Sequence, residues 1–212
     1  IRVCSWCRAN HRFPSRALPT AHTGLTHLPS PRARGANRRP GHLPTPVPGP
    51  DEVRVAVHAV ALNHLDLFVR RGLPGLKLPL PHVGGADVAG VVDAVGEGGV
   101  GWARGDAVVV NPSLPCLACP MCRAGEHALC DTYRIVGEHI HGGMAEHVVV
   151  PAHRLHAKPG RLSFVEAAAV PLVFQTAWRA LVTRARVRPG ESVCVLGGSG
   201  GVATAAIQIA RL

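Results

Sequence analysis

The sequence has 212 residues, of which 47% are apolar and 4% are aromatic, and its formal net charge is +10. This length suits one or two compact domains, and no apolar stretch of about 20 residues is free of charges and of Gly and Pro runs, so no membrane-spanning helix is predicted. Residues 1–50 contain eight arginines and no acidic residue, so the remaining chain is nearly neutral and no nucleic-acid-binding surface is predicted there.

The first 45 residues are predicted to be disordered, or not to be a native segment. Nine of the 19 prolines lie within residues 1–50, and few apolar residues cluster there, so little buried area offsets the chain entropy. A transit peptide and a basic arm for nucleic acid both suit this composition. The start at Ile1 rather than Met favours a third interpretation, a segment unrelated to the rest. Cys4 and Cys7 form a C-x-x-C pair without a surrounding βαβ pattern, which indicates coincidence rather than redox chemistry.

From residue 46 onward, the pattern predicts short strands first and helices later. Alternating apolar residues and runs bounded by Gly and Pro indicate strands at Val53–Val57, Asp87–Val95, Ala107–Val110, Ala145–Val150 and Ser192–Leu196. Helices are predicted at Leu62–Arg71, after the capping pair Ser163 and Glu166, over about Phe174 to Arg186, and from the glycine turn to the end. Many short strands between turns indicate a small β-barrel-type domain, and the last strand, turn and helix indicate the opening of a doubly wound domain.

Four cysteines lie within fifteen residues, as Cys116-x-x-Cys119-x-x-Cys122-x₇-Cys130. This spacing is typical of a tetrahedral structural zinc site, closed because four thiolates leave no open coordination position. Disulfides, an iron–sulfur cluster and free thiols are the alternatives. The absence of a secretion signal disfavours disulfides, and the long last gap followed by Asp131 disfavours an iron–sulfur cluster.

A second motif combines a strand, a glycine turn and a helix. Read from Gly198, the segment is G-x-G-x-x-A, a pattern that binds a pyrophosphate at a helix N-terminus. The predicted cofactor-binding residues of this turn are Gly197, Gly198, Ser199, Gly200, Gly201 and Val202. An ordinary glycine turn is the alternative interpretation.

Together these motifs resemble the medium-chain dehydrogenase/reductase superfamily, which includes zinc-type alcohol dehydrogenases and quinone oxidoreductases. The resemblance covers about residues 46–212. Besides the cysteine loop and the glycine turn, it rests on Pro48–Val53, Ala61–Asp66, Gly84–Gly96, Gly105–Asp106, Gly142–Glu146 and Ala167–Pro171 through Thr176–Ala177. It implies a GroES-like domain with a structural zinc lobe at residues 46–165, followed by the beginning of an NAD(P)-binding Rossmann domain at residues 166–212.

The departures from the family pattern indicate which branch the chain is similar to. At the positions where alcohol dehydrogenases of the family hold a catalytic zinc, this sequence has Asn63, Ala86 and, approximately, Leu172. Asn, Ala and Leu are not zinc ligands, so the resemblance implies the zinc-independent quinone-oxidoreductase branch. Asn63 matches a family position and is the candidate hydrogen-bond donor, with a backbone cap as the alternative. His64 is a candidate proton donor, with a structural role as the alternative, and Thr176 matches a residue near the nicotinamide.

The expected function is that of an NAD(P)H-dependent reductase of quinones, enones or related carbonyls, without a catalytic zinc but with one structural zinc. The expected partners are a small-molecule substrate and a nicotinamide dinucleotide, and a homo-oligomeric, cytoplasmic full-length protein is expected. The alternatives are an inert zinc-binding fragment and a relative of zinc-dependent alcohol dehydrogenases. The residue that distinguishes NAD from NADP, an acid or an Arg at the ribose, is expected about 20 residues beyond the glycines and thus beyond Leu212. The choice between NAD and NADP is therefore not predicted, and the chain alone is expected to be inactive.

Overall fold

A computed structural model describes residues 21–27, 38–73, 75–78, 80–98 and 101–212. Its largest sheet has five antiparallel strands, which are, in chain order, β3 (Glu52–Ala61), β5 (Asp87–Val95), β6 (Ala107–Val110), β9 (His147–Pro151) and β10 (Leu155–Ala157). Their order across the sheet is β10-β6-β5-β3-β9. The mixed α/β class, with an antiparallel strand domain, is therefore confirmed.

Two smaller sheets accompany the large one. The first contains β2 (Arg38–Pro44), β1 (Ala21–His27) and β4 (His82–Val83), and the second pairs β7 (Ser113–Leu114) with β8 (Arg134–Ile135). Strands β1 and β2 lie within residues 1–45, the segment for which disorder or a non-native origin is predicted. They pair in a seven-residue antiparallel register, and β1 also pairs with β4. Cys4 and Cys7 lie outside the described residues.

Five α-helices are described, joined by short 3₁₀ and π segments. They are α1 (His64–Arg71), α2 (Pro120–Arg123), α3 (Phe164–Ala168), α4 (Pro171–Trp178) and α5 (Gly201–Ile209). Helix α3 begins as predicted, because Ser163 accepts the N–H of Glu166 and Glu166 accepts the N–H of Ser163. Helix α4 continues as a π-helical segment, Arg179–Ala185, which ends at Arg186 in the left-handed conformation (φ 54°).

One predicted strand is not formed. Residues 192–196 have no ladder partner among the described residues, and Leu196 is 87% exposed. The run of apolar residues predicted a buried strand, but a strand requires a neighbour that pairs with its N–H and C=O groups. The helix predicted after it is present as α5.

Separate apolar clusters pack against the two faces of the large sheet. Valines of β3, β5, β6 and β9 form the larger cluster, while Ala167 and Ala168 of α3 pack against alanines of β3 and β5. A further cluster joins α4 to α5 through Val173, Ala177 and Ala206. The sheet thus supports α3, and α4 in turn supports the glycine turn before α5.

Gly90, in the middle of β5, is required by close backbone packing. A Cβ atom there would lie 2.1 Å from the carbonyl oxygen of Ala56 and 2.8 Å from Cγ1 of Val55. We expect Gly90→Ala to lower the free energy of unfolding by about 1–3 kcal/mol, because the paired strands must separate. Gly160→Ala is the control, since nothing lies within 4 Å of its Cβ position. Urea unfolding of both variants tests this, and equal stability of the two would contradict it.

Candidate functional site

The four cysteines lie in a lobe that projects between β6 and β9. This cysteine lobe, residues 113–135, is closed at its base by the β7–β8 pair. Within it, Cys119 is the N-cap of α2 and Cys130 follows the 3₁₀ turn His127–Leu129. The local turns therefore bring all four thiols to one point.

The geometry of the thiols fits a tetrahedral metal ion. Their Sγ atoms all lie within 4.8 Å of one another, and those of Cys116 and Cys122 are 3.9 Å apart. A zinc ion with Zn–S bonds of 2.3 Å would place its sulfurs about 3.8 Å apart. Cys122 and Cys130 are buried while Cys116 is exposed, so the site lies at the lobe's surface with its inner side closed.

Backbone N–H groups point at these sulfurs, as thiolates require. Cys116 Sγ accepts from the N–H groups of Ala118 (3.4 Å) and Cys119 (3.2 Å), and Cys130 Sγ accepts from that of Cys116 (3.3 Å). The two N–H donors lower the pKa of the Cys116 thiol to about 6. Burial has the opposite effect on Cys122 and raises the pKa of its thiol. The four predicted ligands are thus together and partly stabilised as thiolates.

Ion pairs join the cysteine lobe to α4 and its π-helical extension. Glu126 accepts from Arg179 at 2.6 Å and from Arg184 at 3.2 Å, and these arginines hold the pKa of its carboxyl below the usual value. Ser113 additionally contacts Gln175 of α4 at 3.3 Å. No sequence signal predicts this junction, because its partners are more than 50 positions apart and form no local motif.

A second polar cluster lies where α1, β5 and α4 meet. The amide nitrogen of Asn63 donates to Oδ2 of Asp87 (2.9 Å), and the backbone N–H of Leu172 donates to Oδ1 of Asp87 (2.8 Å). Asp87 is 1% exposed, and burial raises its pKa to about 7, although the two donors oppose this shift. Asp87 thereby links the strand domain to the first turn of α4.

Asp66 fixes the chain around this cluster. Its Oδ2 accepts the N–H of Asn63 (2.7 Å) and its Oδ1 accepts the N–H of Gly85 (3.0 Å). Ala86, next to Gly85, is 1% exposed. Asn63, Ala86 and Leu172 are therefore gathered around two buried carboxylates, and within the described part of the chain only the four cysteines form a group of three or more His, Cys, Asp or Glu side chains with metal-ligand spacing.

The other candidate residues are more exposed. His64 is exposed at the start of α1, with its ring 6.2 Å from that of Phe68. Thr176 is exposed on α4, and its hydroxyl donates to the carbonyl of Leu172. His139 and His141 accept the backbone N–H groups of Ile135 and Val83, which are structural roles.

The glycine turn leads directly into α5. Gly197 has φ +69°, its carbonyl accepts the N–H of Gly200, and Gly200 is the N-cap of the helix. A Cβ atom at Gly201 would lie 3.1 Å from Cγ1 of Val173, so the absence of a side chain allows α5 to approach α4. Gly198, Ser199 and Val202 are exposed beside this helix start. The turn thus presents free N–H groups to solvent, which suits an anionic ligand.

Comparison with known proteins identifies the family. The family described as alcohol dehydrogenase GroES-like domain matches residues 49–160. The chain belongs to the medium-chain dehydrogenase/reductase superfamily. The GroES-like match lies within the predicted boundaries of residues 46–165.

Individual medium-chain dehydrogenase/reductase relatives match well beyond that domain. An "NAD-dependent alcohol dehydrogenase" of Sulfurisphaera tokodaii is 38% identical over 80% of this chain and 50% of its own length. A human "quinone oxidoreductase" is 34% identical over 80% of this chain and 44% of its own length. The chain therefore spans about half the length of these relatives.

A solved structure of the superfamily shares the fold. The cobalt- and zinc-bound thermostable alcohol dehydrogenase from Pyrobaculum aerophilum is 36% identical, with a TM-score of 0.80 over 90% of this chain and 56% of that chain.

No helix in the described ranges of this chain is both long and apolar enough to cross a bilayer.

Proposed function

We propose that the full-length protein is an NAD(P)H-dependent reductase of quinones, enones or related carbonyls that uses no catalytic metal. The observation that carries the proposal is the hydrogen-bonded cluster of Asn63, Asp87 and Leu172. The cluster contains Asn63 and Leu172 and adjoins Ala86, and these are the positions at which, by the resemblance, the family's alcohol dehydrogenases hold zinc. They offer an amide, a backbone N–H and a methyl group, none of which is a zinc ligand. Hydride transfer to a conjugated acceptor needs positioning and a hydrogen-bond donor rather than a Lewis acid.

Asn63 is the proposed donor to the acceptor oxygen. Its amide nitrogen carries two N–H groups, one of which is donated to Asp87 and thereby fixes the plane of the amide. The second N–H is the group that would stabilise negative charge as it develops on the acceptor oxygen. His64, exposed beside Asn63, is the proposed source of the proton that completes the reduction.

The glycine turn is the proposed site of the dinucleotide. A reduced nicotinamide, when bound, supplies the hydride. Gly197 to Val202 would bind the pyrophosphate at the N-terminus of α5, and Thr176 would lie near the nicotinamide on α4, which contacts α5 through Val173 and Ala206. A side chain at Gly200 would meet only the Gly197 carbonyl at 3.3 Å, so a substitution there acts chiefly on the ligand.

Cys116, Cys119, Cys122 and Cys130 are proposed to hold one structural zinc ion. The distances among the sulfurs and the N–H donors aimed at them support this proposal. Four free thiols at one point also favour a reducing, cytoplasmic compartment over an oxidising one. A homo-oligomeric full-length protein is part of the same proposal.

The test follows NADPH oxidation by the full-length protein with a quinone and an enone, before and after chelation of weakly bound metal. We expect unchanged activity after chelation, and a fall in kcat of about 100-fold for Asn63→Ala, because one stabilising donor is lost. His64→Gln, which removes the proposed proton source at the neighbouring exposed position, is compared with Asn63→Ala. Gly200→Val should raise KM for NADPH.

Two results would redirect the assignment. If the protein oxidises an alcohol only after a second zinc ion per chain is added, the alternative of a zinc-dependent alcohol dehydrogenase is favoured. A full-length protein that binds no nicotinamide dinucleotide would favour the inert zinc-binding module. Thermal unfolding of each variant shows whether a lost activity reflects a lost fold.

A further inference from the structure

Arg154 is a buried cation whose role is not explained by the proposed reaction. It ends the 3₁₀ turn Ala152–Arg154, between β9 and β10, and is 8% exposed. Its carbonyl accepts the N–H of Asn111, which fixes the backbone on β6. Burial of a guanidinium is costly unless a negative charge or several acceptors compensate it.

No carboxylate pairs with Arg154 among the residues that the structure describes. Its Nε–H is buried and has no hydrogen-bond partner within that part of the chain. By contrast, the other buried arginine, Arg54, donates to Asp93 at 2.8 Å and to the carbonyl of Pro46 at 3.1 Å. Glu52 lines a cavity together with Arg154, but its carboxylate accepts the N–H of Gly49 and forms no ion pair with Arg154 among the described residues.

Arg154 shares a cavity with the cysteine lobe. It lines a cavity of about 400 Å³ together with Cys116 and Thr132, and the hydroxyl of Thr132 lies 3.7 Å from Cys130 Sγ. Burial lowers the pKa of the Arg154 guanidinium, and the neighbouring side chains of Tyr133 and Cys122 oppose that shift. Arg134 and His153 line the same cavity, but Arg134 is exposed.

We infer that Arg154 is the buried counter-charge of the metal-thiolate centre. A zinc ion bound by four thiolates carries two net negative charges, half-buried here by Cys122 and Cys130. A guanidinium that is 8% exposed and shares a cavity with this site offsets that charge. The inference rests on the proposed zinc site and makes Arg154 a positioning residue outside the ligand set.

The stability of the zinc-free protein distinguishes a counter-charge at Arg154 from an arginine that only packs. If Arg154 balances the loaded centre, its positive charge stabilises the zinc-bound protein and destabilises the zinc-free protein. Replacement by a neutral side chain of similar length should then weaken zinc binding while leaving the zinc-free protein at least as stable. A purely structural arginine would lower both quantities together.

The experiment compares Arg154→Met and Arg154→Lys with Arg134→Met, a control that removes an exposed arginine from the same cavity. Zinc affinity is measured by competition with a chromophoric chelator, and urea unfolding of the zinc-stripped proteins gives their stability. We expect a 10–100-fold weaker affinity for Arg154→Met, the range found when a group outside the ligand set is lost. Arg154→Lys should retain most of the affinity, and Arg134→Met should match the wild type.

The possible results distinguish the counter-charge role of Arg154 from its alternatives. Equal zinc affinity of the wild type and Arg154→Met overturns the inference and leaves the zinc site standing, whereas a wild type that binds no zinc overturns both. A parallel fall of affinity and zinc-free stability in Arg154→Met overturns it in favour of packing. Cobalt substitution provides a second measurement, because unchanged thiolate-to-cobalt absorption in Arg154→Met shows that the four ligands are intact.

Discussion

Replacement of Cys116, Cys119, Cys122 and Cys130 by serine is expected to abolish the binding of one zinc ion per chain. The four sulfurs lie within 4.8 Å of one another, and no other group with metal-ligand spacing occurs in the described ranges. Cys122→Ser alone should lower the zinc content, since one thiolate is lost. Metal analysis of the purified proteins measures the stoichiometry.

The matched control for this change is Cys194→Ser. Cys194 is an exposed free cysteine outside the lobe, so its loss should leave one zinc per chain. Full zinc occupancy in the protein with four serines would contradict the assignment of the ligands.

The loss of zinc is expected to unfold the cysteine lobe before the sheet. Structural zinc contributes about 10–16 kcal/mol to the folding of small zinc-finger peptides. The β7–β8 pair joins the two ends of residues 113–135, and the Glu126 ion pairs hold the segment near its middle. Hydrogen exchange after chelation should therefore rise first in this segment, with the five-stranded sheet still protected.

Local signals explain what the sequence could predict. Strands β5 and β6 begin and end at the predicted residues, because Val- and Ala-rich segments are bounded there by turns. Helix α3 starts at its capping pair, and the ligand spacing of the cysteines lies within one loop. In each case the residues that decide the structure are neighbours in the chain.

Local sequence signals could not predict the contacts that organise the polar cluster. Asp87 accepts from Asn63, 24 positions away, and from Leu172, 85 positions away. Neither partner forms a local pattern with Asp87, so the sequence indicates only a strand at this residue. The predicted strand at residues 192–196 failed for a related reason, since strand formation depends on a distant partner.

Asp87 is expected to make stability fall as the pH rises from about 5 to 7. The acid is 1% exposed, and burial, supported by the nearby charge of Asp66, raises its pKa from 3.8 to about 7. Between these two values the folded protein holds a proton that the unfolded chain has lost. Raising the pH therefore favours the unfolded state, until the folded acid ionises as well.

The comparison of wild type with Asp87→Asn isolates this effect, because an amide has no charge to lose. Burial lowers the pKa values of His82, His141 and His147, and their contribution, which has the opposite sign, is common to both proteins. We expect the stability of the variant relative to wild type to increase by about 1–3 kcal/mol between pH 5 and 7. The pH dependence is compared rather than the absolute stability, because Asn at residue 87 has one acceptor oxygen and its NH₂ group cannot accept the second N–H. Urea unfolding across this pH range measures it, with Asp131→Asn, which removes an exposed carboxylate, as the control. Parallel pH profiles for wild type and Asp87→Asn would contradict this expectation. They would mean that the two N–H donors keep Asp87 ionised, and Asn63 in its present orientation, over the whole pH range.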